Sequence, residues 1–178
     1  MRGLWTGVLL VGLPAWAPPT TQWVLASSTL TYHVSHPLHH LEGVSHAARG
    51  KGVCQAGVCE FLIAVPVRSF DSGDSNRDLH MLQVVRGGDF PMVTVRTRVP
   101  DAAPADTIYA DLEISFAGRT AEYRRVPLRL ETQGDATHLS GTIPATLSDF
   151  QIPPPALLTI PVQNEIPVSL DMDWRKQP

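Results

Sequence analysis

Along most of this chain short segments alternate apolar and polar residues, and a single polar, turn-rich stretch with helical spacing interrupts the series. Leu30, Tyr32 and Val34 share one face against Thr29, Thr31, His33 and Ser35. Ile108, Ala110, Leu112, Ile114 and Phe116 stand likewise against Tyr109, Asp111, Glu113 and Ser115, and Val126, Leu128 and Leu130 against Arg125 and Arg129. Near the end Val168, Leu170, Met172 and Trp174 oppose Ser169, Asp171, Asp173 and Arg175. Successive side chains of a strand point to opposite sides, so each such segment buries one face only. Many half-buried strands with one helix predict an all-β sandwich or closed barrel, not a parallel α/β sheet.

The interruption falls between a strand-like run at residues 61–67 and the alternating run Val93-Thr94-Val95-Arg96-Thr97-Arg98-Val99. Asp71 to Asn76 is turn chemistry. Ser75 and Asp78 stand at the spacing of a capping box, in which the Ser oxygen accepts from the N3 amide and the N3 carboxylate reaches back to the N-cap amide. This predicts one short helix near residues 76–86. Leu79, Leu82 and Val85 supply its apolar stripe, Gly87-Gly88 stops it, and Pro91 forbids continuation.

On these residues the chain resembles the YceI-like family of bacterial lipocalin-like proteins, often called polyisoprenoid-binding. The likeness spans residues 23–174 and rests on Val34-Ser35-His36, Arg77-Asp78-Leu79-His80, Phe90-Pro91, the strand from Ala110 to Gly118 with Thr120, and Ser148-Asp149-Phe150. It implies an extended antiparallel lipocalin-like β-barrel of about eight strands with the helix packed by it, holding a long isoprenoid or similar apolar molecule, and no catalytic residues. The chain departs from the pattern where Gln151, Ile152 and Pro153-Pro154-Pro155 follow Phe150 in place of a Gly, and where Gly118-Arg119-Thr120 runs into Ala121-Glu122-Tyr123 without a Lys-Pro.

The first residues, Met1-Arg2-Gly3-Leu4-Trp5, then Val8-Leu9-Leu10-Val11 and Pro14-Ala15-Trp16-Ala17, read as a secretory signal peptide over 1–17. The apolar run is too short for a membrane-spanning helix. Residues 18–178 are long enough for one barrel domain with one sizeable core. A formal charge of −3 with no basic tract lacks the electrostatic footprint for nucleic acid or for anionic membrane surfaces. The expected location is the periplasm or outside the cell, with no stable membrane insertion.

Cys54 and Cys59 are the only cysteines, and in an exported chain they read as one disulfide across a hairpin. A catalytic dithiol more often has two intervening residues and a helix start beside it. The loop is small, so the bond contributes about 2 kcal/mol.

His33, His36, His39, His40 and His46 invite a second reading, a periplasmic metal-binding or stress-response module built on segment 33–46. Their spacing speaks against it on a regular strand, since His33 and His36 point to opposite faces. The alternative is a polar loop at the barrel mouth, and no metal ligand is assigned. Arg77, Asp78 and His80 lack a converging nucleophile or second carboxylate, and no Gly-x-Ser-x-Gly, His-Glu-x-x-His or phosphate loop occurs. No cofactor is expected.

The expected activity is therefore binding. Candidate lining residues are Tyr32, Val34, Ile63, Val65, Val95, Ile114, Phe116, Leu128 and Leu130, with Leu79 and Leu82 of the helix closing one end. Arg77 and His80 are candidates for meeting a polar head group. The apolar pair Leu157-Leu158, between Pro155 and Pro161, is expected to cover the mouth.

Overall fold

The computed structural model describes residues 20–36, 39–101, 106–157 and 160–177, and the side chains of these except His39 and Leu157. The expected leader over 1–17 and Leu158 of the expected mouth loop lie outside the described residues. The chain order is β1 (Thr21–His36), β2 (His39–Ser45), β3 (Arg49–Gln55), β4 (Val58–Pro66), helix α1 (Ser75–Val84), β5 (Met92–Pro100), β6 (Thr107–Phe116), β7 (Arg119–Gln133), β8 (Ala136–Ile143), the short β9 (Ala156–Leu157) and β10 (Ile160–Pro161), and β11 (Val168–Gln177). Every neighbour pair is antiparallel. The sheet runs β11-β8-β7-β6-β5-β4-β3-β1 and closes where β11 pairs with β1, giving an eight-stranded barrel with, among the described residues, one α-helix. Closure removes the unpaired edges that an open sheet leaves exposed.

Local chemistry explains the joints. Ala56 and Gly57 sit at φ 52° and 81° between β3 and β4, the two left-handed positions of the tight turn whose twist matches that of the strands it joins. β1 serves two partners along one edge, with Thr21–Val24 on β3 and Leu30–His36 on β2. Its register slips between Leu25 and Ser27, so an extra residue lets Leu25, Ser28 and Leu30 all turn inward and be buried. A second irregularity lies between Ala110 and Leu112 on the β6–β7 ladder. Arg125, at φ 55°, finds a carboxylate for its amide there, the Asp111 Oδ1 at 2.8 Å.

The alternating faces resolve as expected into one interior. Ile63, Val65, Ala110, Leu112, Ile114, Val126, Leu128, Leu170, Met172 and Trp174 are all buried, and each large aliphatic side chain among them is worth about 1.5–3 kcal/mol removed from water. Cys54 and Cys59 face each other directly across the β3–β4 ladder and are joined, with Cα atoms 3.9 Å apart. Among the described residues no helix is long and apolar enough to cross a membrane.

The helix corrects three expectations. Its N-cap is Asp74, not Ser75: the extended Asp74 accepts from the amides of Asn76 at 2.9 Å and Arg77 at 3.2 Å. Asp78 does not close a capping box but accepts from the Ser72 amide at 3.1 Å. The helix ends at Val84 rather than near 86, because Arg86 turns left-handed at φ 54° and the Gly87 amide folds back on Leu82 O at 2.7 Å. Its inner side is made by the half-buried Met81, Leu82 and Val84, and the buried Val85 follows just past its end. Leu79 is 59% exposed and closes nothing, since it lies on the solvent side of the helix.

Candidate functional site

The strands hold the expected lining residues on one inner surface. Across β4, β5, β6 and β7 the register sets Ile63 beside Val95, Val95 beside Ile114, and Ile114 beside Ala121. Tyr32 and Val34 of β1, Val95, Phe116 and Leu130 are half-buried, whereas Ile63, Val65, Ile114 and Leu128 are buried. Phe61 and Trp174 meet edge-on across the interior with ring centroids 5.0 Å apart. Their room comes from β3, where a Cβ on Gly52 would stand 2.3 Å from the Phe61 ring and one on Gly50 2.5 Å from the Trp174 ring.

The two ends of the barrel differ. At the end carrying the β6–β7 turn and α1, a short 3-10 turn at Ser148–Phe150 drops onto the interior. Phe150 packs edge-on to Phe116 at 5.3 Å, and Val67, Leu147 and Ile152 are buried with it. The turn is anchored by Tyr123, whose hydroxyl donates to Asp149 Oδ2 at 2.7 Å. That bond holds the Asp149 carboxyl below the usual range, while burial, and then the carboxylate, push the Tyr123 hydroxyl up. Gln151 takes the left-handed conformation, φ 55° and ψ 34°, at the place where the resemblance leads one to expect Gly. The β9–β10 pair seats itself at the end of β1, with Ile160 O 3.2 Å from His36 Nε2 and the Gln163 amide 2.9 Å from Ser35 O. At the opposite end the inward apolar residues Trp23, Val99, Ile108 and Leu139 stay half-buried beside the disulfide hairpin.

The proposed head-group residues lie outside this interior. Arg77 and His80 are both exposed, and the Arg77 guanidinium donates to Ser72 O at 2.8 Å. Arg77 borders the Tyr32 end, where Tyr32 packs on Phe70 at 5.5 Å. Burial, followed by the Asp78 charge, raises the Tyr32 hydroxyl pKa.

The histidines of segment 33–46 do not form the expected polar loop: His33 and His36 lie on β1, His40 on β2 and His46 just beyond it. His36 is buried at 3% exposure, whereas His33, His40 and His46 bond individually, His40 to Ser35 and His46 to Thr29 and Ser28 O. Among the described residues the only group of three His, Cys, Asp or Glu close enough to share an ion is Cys54, Cys59 and Asp101, and its sulfurs are spent in the disulfide. Two features escaped the sequence because register alone assembles them. One is a groove of about 690 Å³ across the outer faces of β3 to β7, walled by exposed ion pairs such as Arg96–Glu113 and Arg98–Glu60. The other is a chain of polar contacts joining Ser169, His33 and Glu42.

No protein-family model and no curated protein sequence matches the chain. Solved structures do. BcnA of Burkholderia cenocepacia is 15% identical, with 82% of this chain and 95% of that one covered and a TM-score of 0.70. A polyisoprenoid-binding domain of Saccharophagus degradans, implicated in plant cell wall breakdown, is 12% identical over 87% of this chain and 98% of that one, again with a TM-score of 0.70. The YceI protein of Campylobacter jejuni is 10% identical over 98% of this chain and 94% of that one, with a TM-score of 0.53. At such identities the likeness is one of fold, and the fold of this chain is that of the YceI-like barrels.

Proposed function

We propose that the interior of this protein is a non-enzymatic binding site of the YceI-like kind, and that the chain is a single barrel domain over 18–178 that carries or buffers a long apolar or amphiphilic molecule there. The observation that carries this reading is the inner wall itself. Cys59, Phe61, Ile63 and Val65 of β4, and Ile108, Ala110, Leu112, Ile114 and Phe116 of β6, put no charge into the barrel. A closed eight-stranded barrel is wide enough to hold one small ligand. Burial is worth about 0.8 kcal/mol per methylene, so ten methylenes give about 8 kcal/mol before ordering costs, enough without a charged contact.

The ligand class is an isoprenoid, a quinone or another lipid-like molecule, and the structural relative described as polyisoprenoid-binding supports that choice. The lining is Tyr32, Val34, Ile63, Val65, Val95, Ile114, Phe116, Leu128 and Leu130, with Leu82 but not Leu79 from the helix. The disulfide and the leader-like first residues support a periplasmic or secreted location.

Ile114→Arg tests the reading, because an unpaired charge in the interior is costly. A variant folded by circular dichroism is expected to lose a fluorescent isoprenoid analogue that the wild type retains. Retention as tight as wild type by that folded variant would refute an interior site. Should the charge unfold the chain, the bulkier Ile114→Phe, which fills the same space without charge, is expected to weaken retention instead. Native mass spectrometry of protein taken from its own periplasm is expected to show a co-purifying lipid.

A further inference from the structure

On the outer wall of the barrel β2, β1 and β11 line up a carboxylate, an imidazole and a hydroxyl. His33 stands opposite Glu42 in the β1–β2 ladder, and its Nδ1 lies 3.0 Å from Glu42 Oε1. Its other ring nitrogen, Nε2, lies 3.0 Å from Ser169 Oγ of β11. An ionised carboxylate only accepts, so it draws the proton of neutral His33 to Nδ1 and leaves the Nε2 lone pair to accept from the Ser169 hydroxyl. Polar pairs across exposed strands are ordinary. What distinguishes this set is the order of atoms, carboxylate to Nδ1 and Nε2 to hydroxyl, which is the order in which a base activates a serine and a third group holds the base.

The surroundings suit an acyl acceptor. The His33 side chain is 34% exposed, so a small reagent reaches it. Ser169 is half-buried between Thr31 of β1 and Thr142 of β8, its direct partners on either side, and their hydroxyls face outward with it.

We propose that Ser169 is an activated nucleophile, with His33 as its general base and Glu42 as the residue positioning His33, and that it accepts acyl groups from small activated esters. Ser169 Oγ attacks the acyl carbon while its proton passes to His33 Nε2. The bond to the leaving alkoxide breaks, and the alcohol departs with that proton. Water then attacks the acyl-serine, His33 takes a proton from it and returns one to Oγ, and the free acid leaves. The site lies on the wall opposite to the lining and does not depend on what the interior holds. An open site without backbone oxyanion donors makes it slow and undemanding of the alcohol.

The probes are p-nitrophenyl acetate and a fluorophosphonate, which loses fluoride as its phosphorus bonds to Oγ. The exposed imidazoles of His40 and His46 also react with the ester, so the informative quantity is the difference from Ser169→Ala. Wild type is expected to exceed Ser169→Ala and His33→Ala by about 100-fold, with phosphonyl label mapped to Ser169. Glu42→Gln is expected to lower kcat at unchanged KM and to alter the pH–rate profile, and Glu42→Asp to restore part of the rate. All three positions lie on the outer wall, and thermal unfolding checks each variant. Equal rates in wild type and Ser169→Ala, label on another residue, or labelling of Ser169 that survives His33→Ala would each overturn the assignment.

Discussion

Gly52→Ala is the smallest change that tests how the interior is built. The added methyl would meet Phe61 Cε1 at 2.3 Å and Cδ1 at 2.4 Å, far inside van der Waals contact. The ring cannot simply withdraw, because it stands edge-on to Trp174 at 5.0 Å, and Trp174 is itself set close over Gly50. Overpacking of this kind costs about 1–3 kcal/mol. Against it stands about 0.4–1 kcal/mol gained because Ala restricts the unfolded chain more than Gly, leaving a net loss between about 0 and 2.6 kcal/mol, about 1.3 kcal/mol at the middle of both ranges. With a urea dependence of about 2 kcal/mol/M, the midpoint should fall by about 0.5–1 M. Urea unfolding followed by tryptophan fluorescence measures it. Phe61→Leu removes the obstructing ring, so in that background Gly52→Ala should cost little, a coupling of about 1 kcal/mol or more. A Gly52→Ala midpoint equal to wild type, or the same penalty in the Phe61→Leu background, would show that β3 is not made of glycine to admit these rings.

Asp74→Ala should cost about 1 kcal/mol in the same unfolding assay, since it removes the oxygen that satisfies two first-turn amides, whereas Ser75→Ala should leave the midpoint in place; the reverse ranking would restore Ser75 as the cap. His138 sets Nδ1 on Asp173 at 2.9 Å and Nε2 on Asp171 at 3.4 Å, and the bond to Asp173 foremost raises its pKa above the ordinary value. A folded pKa above the unfolded one means stability fully present below about pH 6.5 and lost as pH rises through the raised value. Tm should therefore decline over that interval in wild type and decline less in His138→Gln; parallel curves would exclude the contribution.

Alternation fixes which side of a strand is apolar, so Ile114, Leu128 and Leu170 could be assigned to the interior without coordinates. The disulfide was legible for the same kind of reason: two cysteines flanking a Gly-containing turn become direct neighbours once the turn forms. The helix was visible in its stop signals, but its cap was not. Asp74 and Ser75 are both competent acceptors, and which of them takes the extended conformation depends on where the loop from Asp71 to Asp78 is tied down. Leu79 misled because helical spacing says which residues share a face, and only packing says which of them meet the barrel. Contacts between distant segments were out of reach altogether. Glycines 50 and 52 gave no hint that they face Trp174 and Phe61, and nothing in the sequence places Ser169 on His33, 136 positions away. Such pairs are set by strand order and register, which are decided when β11 closes on β1, and a local pattern carries no record of that choice.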